Sequence, residues 1–485
     1  MRHLTDIIGA FTRGIARSRV SLIGAMIVTV TTPFLVGAIV YDLIWHIQNP
    51  YVGAVIYMML GPAFIGGLVL VFLGLFFFKG KEEVRLFTLD YLRDYFTDPS
   101  KFSRMRKLVF FAVFLTGVNM FIMGLLAYRG YHYMESTSFC GQFCHTVMNP
   151  EYTAYQQSPH SRVSCVECHI GSGATWFVKS KVSGARQLFA VALDTYPRPI
   201  LTPVHGLRPA RETCEQCHRP ELFHGEKLVV RENFREDEQN TPVHTVLLMR
   251  VGSAGDRTGS SHGIHWHVAP ENQITYRASD HTRMEIAETT LVKPDGTQIV
   301  YTNSNVSAEP QPDQEVRVMD CIDCHNRPSH VYLPPSEAIN RKLLEGAIPK
   351  NLPFIKRQAM LVVQQPYETS AAATSGIATE LNAWYQKNYP DLVRQNPALL
   401  DQAIRGVQAA FSENVFPEMN IAWNTYVNHI GHGENFDIGC FRCHDGSHES
   451  AAGEVISADC NVCHVILAED EPNPQILETI RGNRQ

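Results

Sequence analysis

All twelve cysteines of this chain fall in six short motifs, each ending in histidine. Five are C-x2-C-H: Cys165, Cys168 and His169; Cys214, Cys217 and His218; Cys321, Cys324 and His325; Cys440, Cys443 and His444; Cys460, Cys463 and His464. The first in the chain, Cys140, Cys144 and His145, has one extra residue between its thiols. Two thiols about one helical turn apart can form thioethers to a porphyrin while the following imidazole ligates the iron, which is the chemistry of covalent haem c attachment. Zinc knuckles also pair cysteines, but they do not require histidine directly after the second one each time. Disulfides would leave the repeated Cys-His dipeptide unexplained. The motifs therefore predict six covalent haems c. Bacterial thioether formation takes place in the periplasm, so these segments are expected there.

A haem c iron that carries electrons takes a second ligand, His or Met. Of the 21 histidines, six belong to the motifs. The remaining candidates are those close to a motif: His160, His205, His330, His432 and His448. His265 and His267 flank Trp266, and on a strand both would point the same way. On that ground the two resemble a metal or haem ligand pair, with His267 carried as the ligand candidate. Met148, three residues after His145, is the candidate for the first haem.

The elements that must position these groups begin in the membrane. Three apolar stretches, about 21–45, 52–78 and 108–128, reach the roughly 20 residues needed to span a bilayer. The loop between the first two has no Lys or Arg, whereas residues 79–107 carry eight. The positive-inside rule then places the N-terminus and that second loop in the cytoplasm, and the motifs on the periplasmic side. Asp42 and His46 lie one turn apart near the periplasmic end of the first span. Paired histidines for a non-covalent haem are lacking in the spans.

The pattern divides into an anchor over 1–130, a trihaem region over 131–228, a β-rich insertion over 229–318, and a C-terminal trihaem region over 319–485. The insertion should contain a hairpin turning at Asp295-Gly296. Residues 351–416 carry a helical period and should form a spacer. The fold expected is thus a membrane-anchored, mainly α multihaem cytochrome c, with three transmembrane helices, a periplasmic hexahaem domain and a small β insertion. A net charge of −6 gives no reason to expect nucleic acid.

A span ending just before the first motif, the run C-H-T-V-M-N-P-E-Y, and S-P-H ahead of the second motif resemble the NapC/NirT/NrfH family of membrane-anchored quinol dehydrogenases. The longer runs PVHGLRPARETCEQCH, DCHNRPSH and GHGENFDIGCFRCHDGSH resemble its larger multihaem members in metal-reducing and related bacteria. The resemblance covers residues 108 to about 464. It implies menaquinol oxidation at the periplasmic face of the inner membrane, by exchange with the quinone pool. Electrons would leave through the haems to periplasmic c-type cytochromes or a terminal reductase. The first haem would be the point of input, with Met148 as its ligand, and a lysine near the second haem would be Lys179 or Lys181. Candidate quinol-site groups are Met148, Asp42, His132, Lys179 and Lys181, with Glu151 a further proton acceptor. The chain departs from the family in the C-x3-C-H spacing, in a Met148 one position late, in the extra hairpin over 21–78, and in the two C-terminal haems. Two other readings stay open: a relay subunit that never meets quinol, and a terminal reductase of the nitrite or hydroxylamine type. A homo-oligomer or a larger complex is equally open.

Overall fold

The computed structural model describes residues 18–45, 59–76, scattered positions from 97 to 125, and 128–482 apart from 144, 172, 205–207, 220–221, 224, 253–261, 270, 307–314 and 434. The chain divides into two compact units, Met1–Cys144 and His145–Gln485.

In the first unit, α1 (Arg19–Trp45) and α2 (Gly61–Phe76) are almost wholly apolar. Over Arg19–Gly37, α1 is long and apolar enough to cross a membrane, and the apolar part of α2 is shorter. Small residues let the two helices close up. A Cβ on Gly24 would lie 2.5 Å from Gly67 O, and one on Gly74 would meet Ser21 and Ser18. The Ser21 hydroxyl donates to Val71 O at 3.0 Å across the pair. Thr29, Thr31 and Thr32 turn their hydroxyls back onto carbonyls four residues earlier, so no side-chain donor there needs water. Leu22, Met26, Phe34, Ile65 and Phe72 stay exposed on the outer faces. Most of the third apolar stretch, 108–128, lies outside the described residues, as does His46. A short helix, α3 (Thr137–Gln142), capped by Ser136, carries Cys140 at the end of this unit.

The second unit opens with α4 (His145–Gln156) and α5 (Cys165–His169), the latter being a motif in itself. The amphipathic α6 (Ala174–Ala192) follows, and α7 (Ala210–Cys214) delivers the third motif. Next come β1 (Lys227–Phe234) and β2 (Pro242–Met249), a 3-10 turn at Ile264–Val268, then β3 (Gln273–Ala278), β4 (Ile286–Val292), β5 (Gln298–Asn303) and β6 (Arg317–Val318). The β4–β5 hairpin turns through Asp295 and Gly296, where φ of +85° favours glycine. The fourth motif forms α8 (Cys321–Cys324), closed by a reciprocal capping box between Asp320 and Asp323.

A haem-free helical lobe follows: α9 (Pro335–Leu344), α10 (Ile355–Val363), α11 (Ser370–Asn388), α12 (Pro390–Gln395) and α13 (Pro397–Ser412). Its apolar residues recur at helical spacing, and Ile339, Leu343, Ile355, Val363, Ile377, Leu381, Leu400 and Val407 share one core. Tyr385, fully buried there, satisfies its hydroxyl on Pro353 O at 2.8 Å. The chain ends with β7 (His448–Ser450), β8 (His464–Glu471) and α14 (Gln475–Gly482).

The strands form two antiparallel sheets, β1-β2-β8 and β6-β3-β4-β5-β7. β8 begins at the sixth motif's histidine and pairs with β2, and β7 follows the fifth motif and pairs with β5. The β-rich stretch therefore borrows strands from the C-terminal region, which covers edges that would otherwise be left open.

Candidate haem sites

Five histidines from outside the motifs each meet one histidine from inside them. Ring centres lie 6.2 Å apart for His330 and His169, 6.0 Å for His160 and His218, 6.4 Å for His265 and His325, 5.7 Å for His267 and His444, and 6.3 Å for His432 and His464. Two imidazoles bonded at about 2.0 Å to opposite sides of one metal put their ring centres roughly 6 Å apart. The spacing fits an iron between each pair.

The second coordination layer is equally regular. Nδ1 of His160, His265, His267, His330 and His432 lies 2.7–3.1 Å from the carbonyl of Pro328, Val251, Ile264, Glu151 and Gly433 respectively. A carbonyl on Nδ1 fixes the proton there and leaves Nε2 with its lone pair for the metal. Among the described residues no group of three or more His, Cys, Asp or Glu converges as a zinc site would. The residues present fit bis-histidine haem.

His265 and His267 do not point the same way, as a strand would have them. Gly263, at φ +75°, starts a 3-10 turn instead. Two residues on such a turn are about 240° apart in azimuth. One ring therefore faces His325 and the other His444, so a single turn serves two motifs.

Cysteines of successive motifs approach one another. Cys168 lies within electrostatic reach of Cys214 and Cys217. Cys214 and Cys321 are in hydrogen-bonding contact. Cys440 is the near neighbour of both Cys324 and Cys463. The backbone N–H of Ala210 donates to Asp320 Oδ2 at 3.2 Å, tying the third motif to the fourth. From the second motif to the sixth, the attachment points form one continuous file.

The model of the NapC/NirT cytochrome c family, N-terminal region, matches residues 103–199. Over 466 residues the chain is 39% identical to the cytochrome c-type protein ImcH of Geobacter sulfurreducens, covering 95% of this chain and 90% of that one. The chain belongs to the NapC/NirT cytochrome c family. A second member, the cytochrome c-type protein NrfH of Wolinella succinogenes, is 34% identical over 122 residues, 24% of this chain and 67% of NrfH. No solved structure matches. Like the family, the chain is a multihaem c-type cytochrome of electron transport with covalently bound haem c.

The other candidates from the family's N-terminal region lie on separate elements of the two units. The first motif spans the junction of the two units, and Cys144 is outside the described residues. Met148 is half-buried on α4, one turn beyond His145. Asp42 lies on α1. His132 is exposed, between the rings of Tyr128 and Tyr131 at 4.4 and 5.5 Å. Lys179 and Lys181 sit over the Trp176 and Phe177 rings on α6, at 4.5 and 4.9 Å. His205 is outside the described residues. His448 is fully buried on β7, with Nδ1 3.7 Å from Asp445 rather than against a motif ring. His265 faces the fourth motif, a partner that nearness in sequence did not single out.

His429 is 5% exposed, and burial, then Arg442 and Arg327, push it down to about 3. Its unfolded value is about 6.5, so only the unfolded chain takes up this proton as pH falls from 6.5. Stability of the holoprotein is expected to be level in this respect above pH 6.5. It should then drop by about 1.4 kcal/mol per pH unit toward pH 5. Thermal melts of wild type and His429→Gln over that range check this: the variant should show the shallower slope.

Proposed function

We propose that the protein oxidises menaquinol at the periplasmic face of the inner membrane and passes the electrons through six haems c to a periplasmic redox partner. In this reading residues 1–130 anchor the chain with three spans, leaving the N-terminus in the cytoplasm and everything after the third span in the periplasm. The five histidine pairs at 5.7–6.4 Å support the reading, because with haem bound they would form a file of five low-spin sites. Low-spin sites with both positions filled suit electron transfer and leave no iron open to substrate, which argues against a terminal reductase at those five.

Bound haem supplies reversible one-electron chemistry, so the two electrons of the quinol leave singly. The chain's own residues do the rest. Cys140, Cys144, His145 and Met148 hold the input site at the end of the anchor. Asp42, His132, Lys179 and Lys181 are the candidates to orient the quinol or accept its two protons. His330, His160, His265, His267 and His432 complete the sites of the second to sixth motifs. A periplasmic c-type cytochrome or a terminal reductase collects the electrons.

The decisive experiment is stopped-flow reduction of the purified holoprotein in nanodiscs by a soluble menaquinol analogue. Reduction that a quinone-site inhibitor blocks is the expected result. If dithionite reduces every haem but the quinol analogue reduces none, the reading is wrong and a relay fed by another subunit takes its place.

A further inference from the structure

We propose that Glu151 is a positioning residue for the second motif's iron, holding its distal ligand His330 beside a negative charge and so setting that haem's potential below the value it would otherwise have. This rests on the assignment of His330 to the haem of Cys165, Cys168 and His169. The sequence offers Glu151 only as a proton acceptor for quinol. In the fold it faces His330.

Three observations carry the inference. His330 Nδ1 is 2.9 Å from Glu151 O and 3.2 Å from Glu151 Oε2, so both the backbone and the side chain of one residue grip the same nitrogen. Glu151 Oε2 is shut off from solvent and receives no hydrogen bond of its own, because the Nδ1–H points at the carbonyl. Its charge therefore faces the ring, with the Arg327 guanidinium and the Tyr332 phenol as its neighbouring donors. The other carboxylate oxygen, Oε1, is 3.5 Å from Arg327 Nη1, and Arg327 is itself buried, stacked 3.9 Å over the Tyr426 ring. The carboxylate's influence reaches its surroundings, for it is the next cause after burial that raises the Tyr332 phenol.

A carboxylate on the far nitrogen of a metal-bound imidazole makes the near nitrogen a better electron donor. A nearby negative charge in a medium of low dielectric also favours the more positive iron. Both effects stabilise the oxidised haem over the reduced one. Arg327 partly offsets the charge, so the two side chains oppose each other at one iron. Glu151 lies on α4, two turns beyond His145 and one beyond Met148. The same helix thus carries His145 of the first motif and the carboxylate beside His330.

The test is a potentiometric titration of the full-length holoprotein, followed by visible spectra and low-temperature EPR, with wild type, Glu151→Gln, Glu151→Asp and Arg327→Gln. In Glu151→Gln one haem should be reduced more easily, by tenfold or more in the reduced-to-oxidised ratio at fixed potential, about 59 mV for one electron. Glu151→Asp keeps the charge and should restore most of the shift. Arg327→Gln should move the same haem the opposite way, which a general loosening of the fold would not do. Unchanged potentials in Glu151→Gln and Arg327→Gln, with all haems retained, overturn the proposal. His330→Ala separates this from the underlying assignment: if it alters no low-spin signal, the ligand assignment fails. If it removes one signal while Glu151→Gln shifts nothing, only the role of Glu151 fails.

Discussion

Replacing both His265 and His267 by alanine should convert two haems of the holoprotein from low spin to high spin at once. These rings stand 6.4 and 5.7 Å from His325 and His444, and each is held by a carbonyl on Nδ1. Removing them opens one coordination position at the fourth and one at the fifth motif. EPR should show two new high-spin signals. Reduction of the sixth haem by electrons supplied upstream should slow by at least tenfold, since both middle stations change ligation and potential together. Each single variant should affect one haem only. A double variant with wild-type spectra would mean that the turn packs near the irons without binding them.

The second large effect is expected at Arg442, which lies inside the fifth motif. Its guanidinium donates to Gly439 O at 3.0 Å, to Arg283 O at 2.8 Å and to Asp323 O, the last within the fourth motif. Asp323, 4% exposed, also takes the Tyr276 hydroxyl at 2.5 Å. One side chain therefore clasps two motifs and the β3–β4 connection. Arg442→Ala leaves three carbonyls without a charged donor in a half-buried site, a loss on the order of 2–5 kcal/mol. Thermal unfolding followed at the haem absorption band should shift down accordingly. Arg442→Lys should recover little, because an ammonium cannot reach three carbonyls with the geometry of a fork. A melting temperature within a degree of wild type would show that the clasp carries no stability.

Much of this was legible before any coordinates. The motifs could be read because attachment chemistry demands a fixed local spacing. The β4–β5 hairpin could be read because Asp295-Gly296 sits between alternating segments, and the helical lobe because Leu400, Ile404, Val407 and Phe411 repeat with the helix. His160, His267, His330 and His432 stood out as histidines, but their partners did not. Nearness in the chain associates His160 with the second motif, whereas its ring faces His218 of the third. It associates His330 with the fourth, whereas its ring faces His169 of the second. Distal pairing is set by tertiary packing, which a local window does not contain. The turn at Gly263 escaped notice for a related reason: alternating His-Trp-His reads as a strand, and only a positive φ redirects it. His448, near the fifth motif in sequence, is fully buried on β7 with an Nε2 that has no hydrogen-bond partner.

The crossing of these partnerships has a consequence for how the molecule is made. A chain that emerges N-terminus first presents the second motif long before His330, which lies beyond the fourth. The third motif can take His160 at once, because that residue has already passed. In the proposed assignment the second would have to wait for its distal ligand until 161 further residues, about a third of the protein, had followed it. Completion therefore does not run in the order of synthesis. A product truncated before His330 would keep its thioethers yet lack the second motif's proposed distal ligand, a lesion that a count of attached haems would miss.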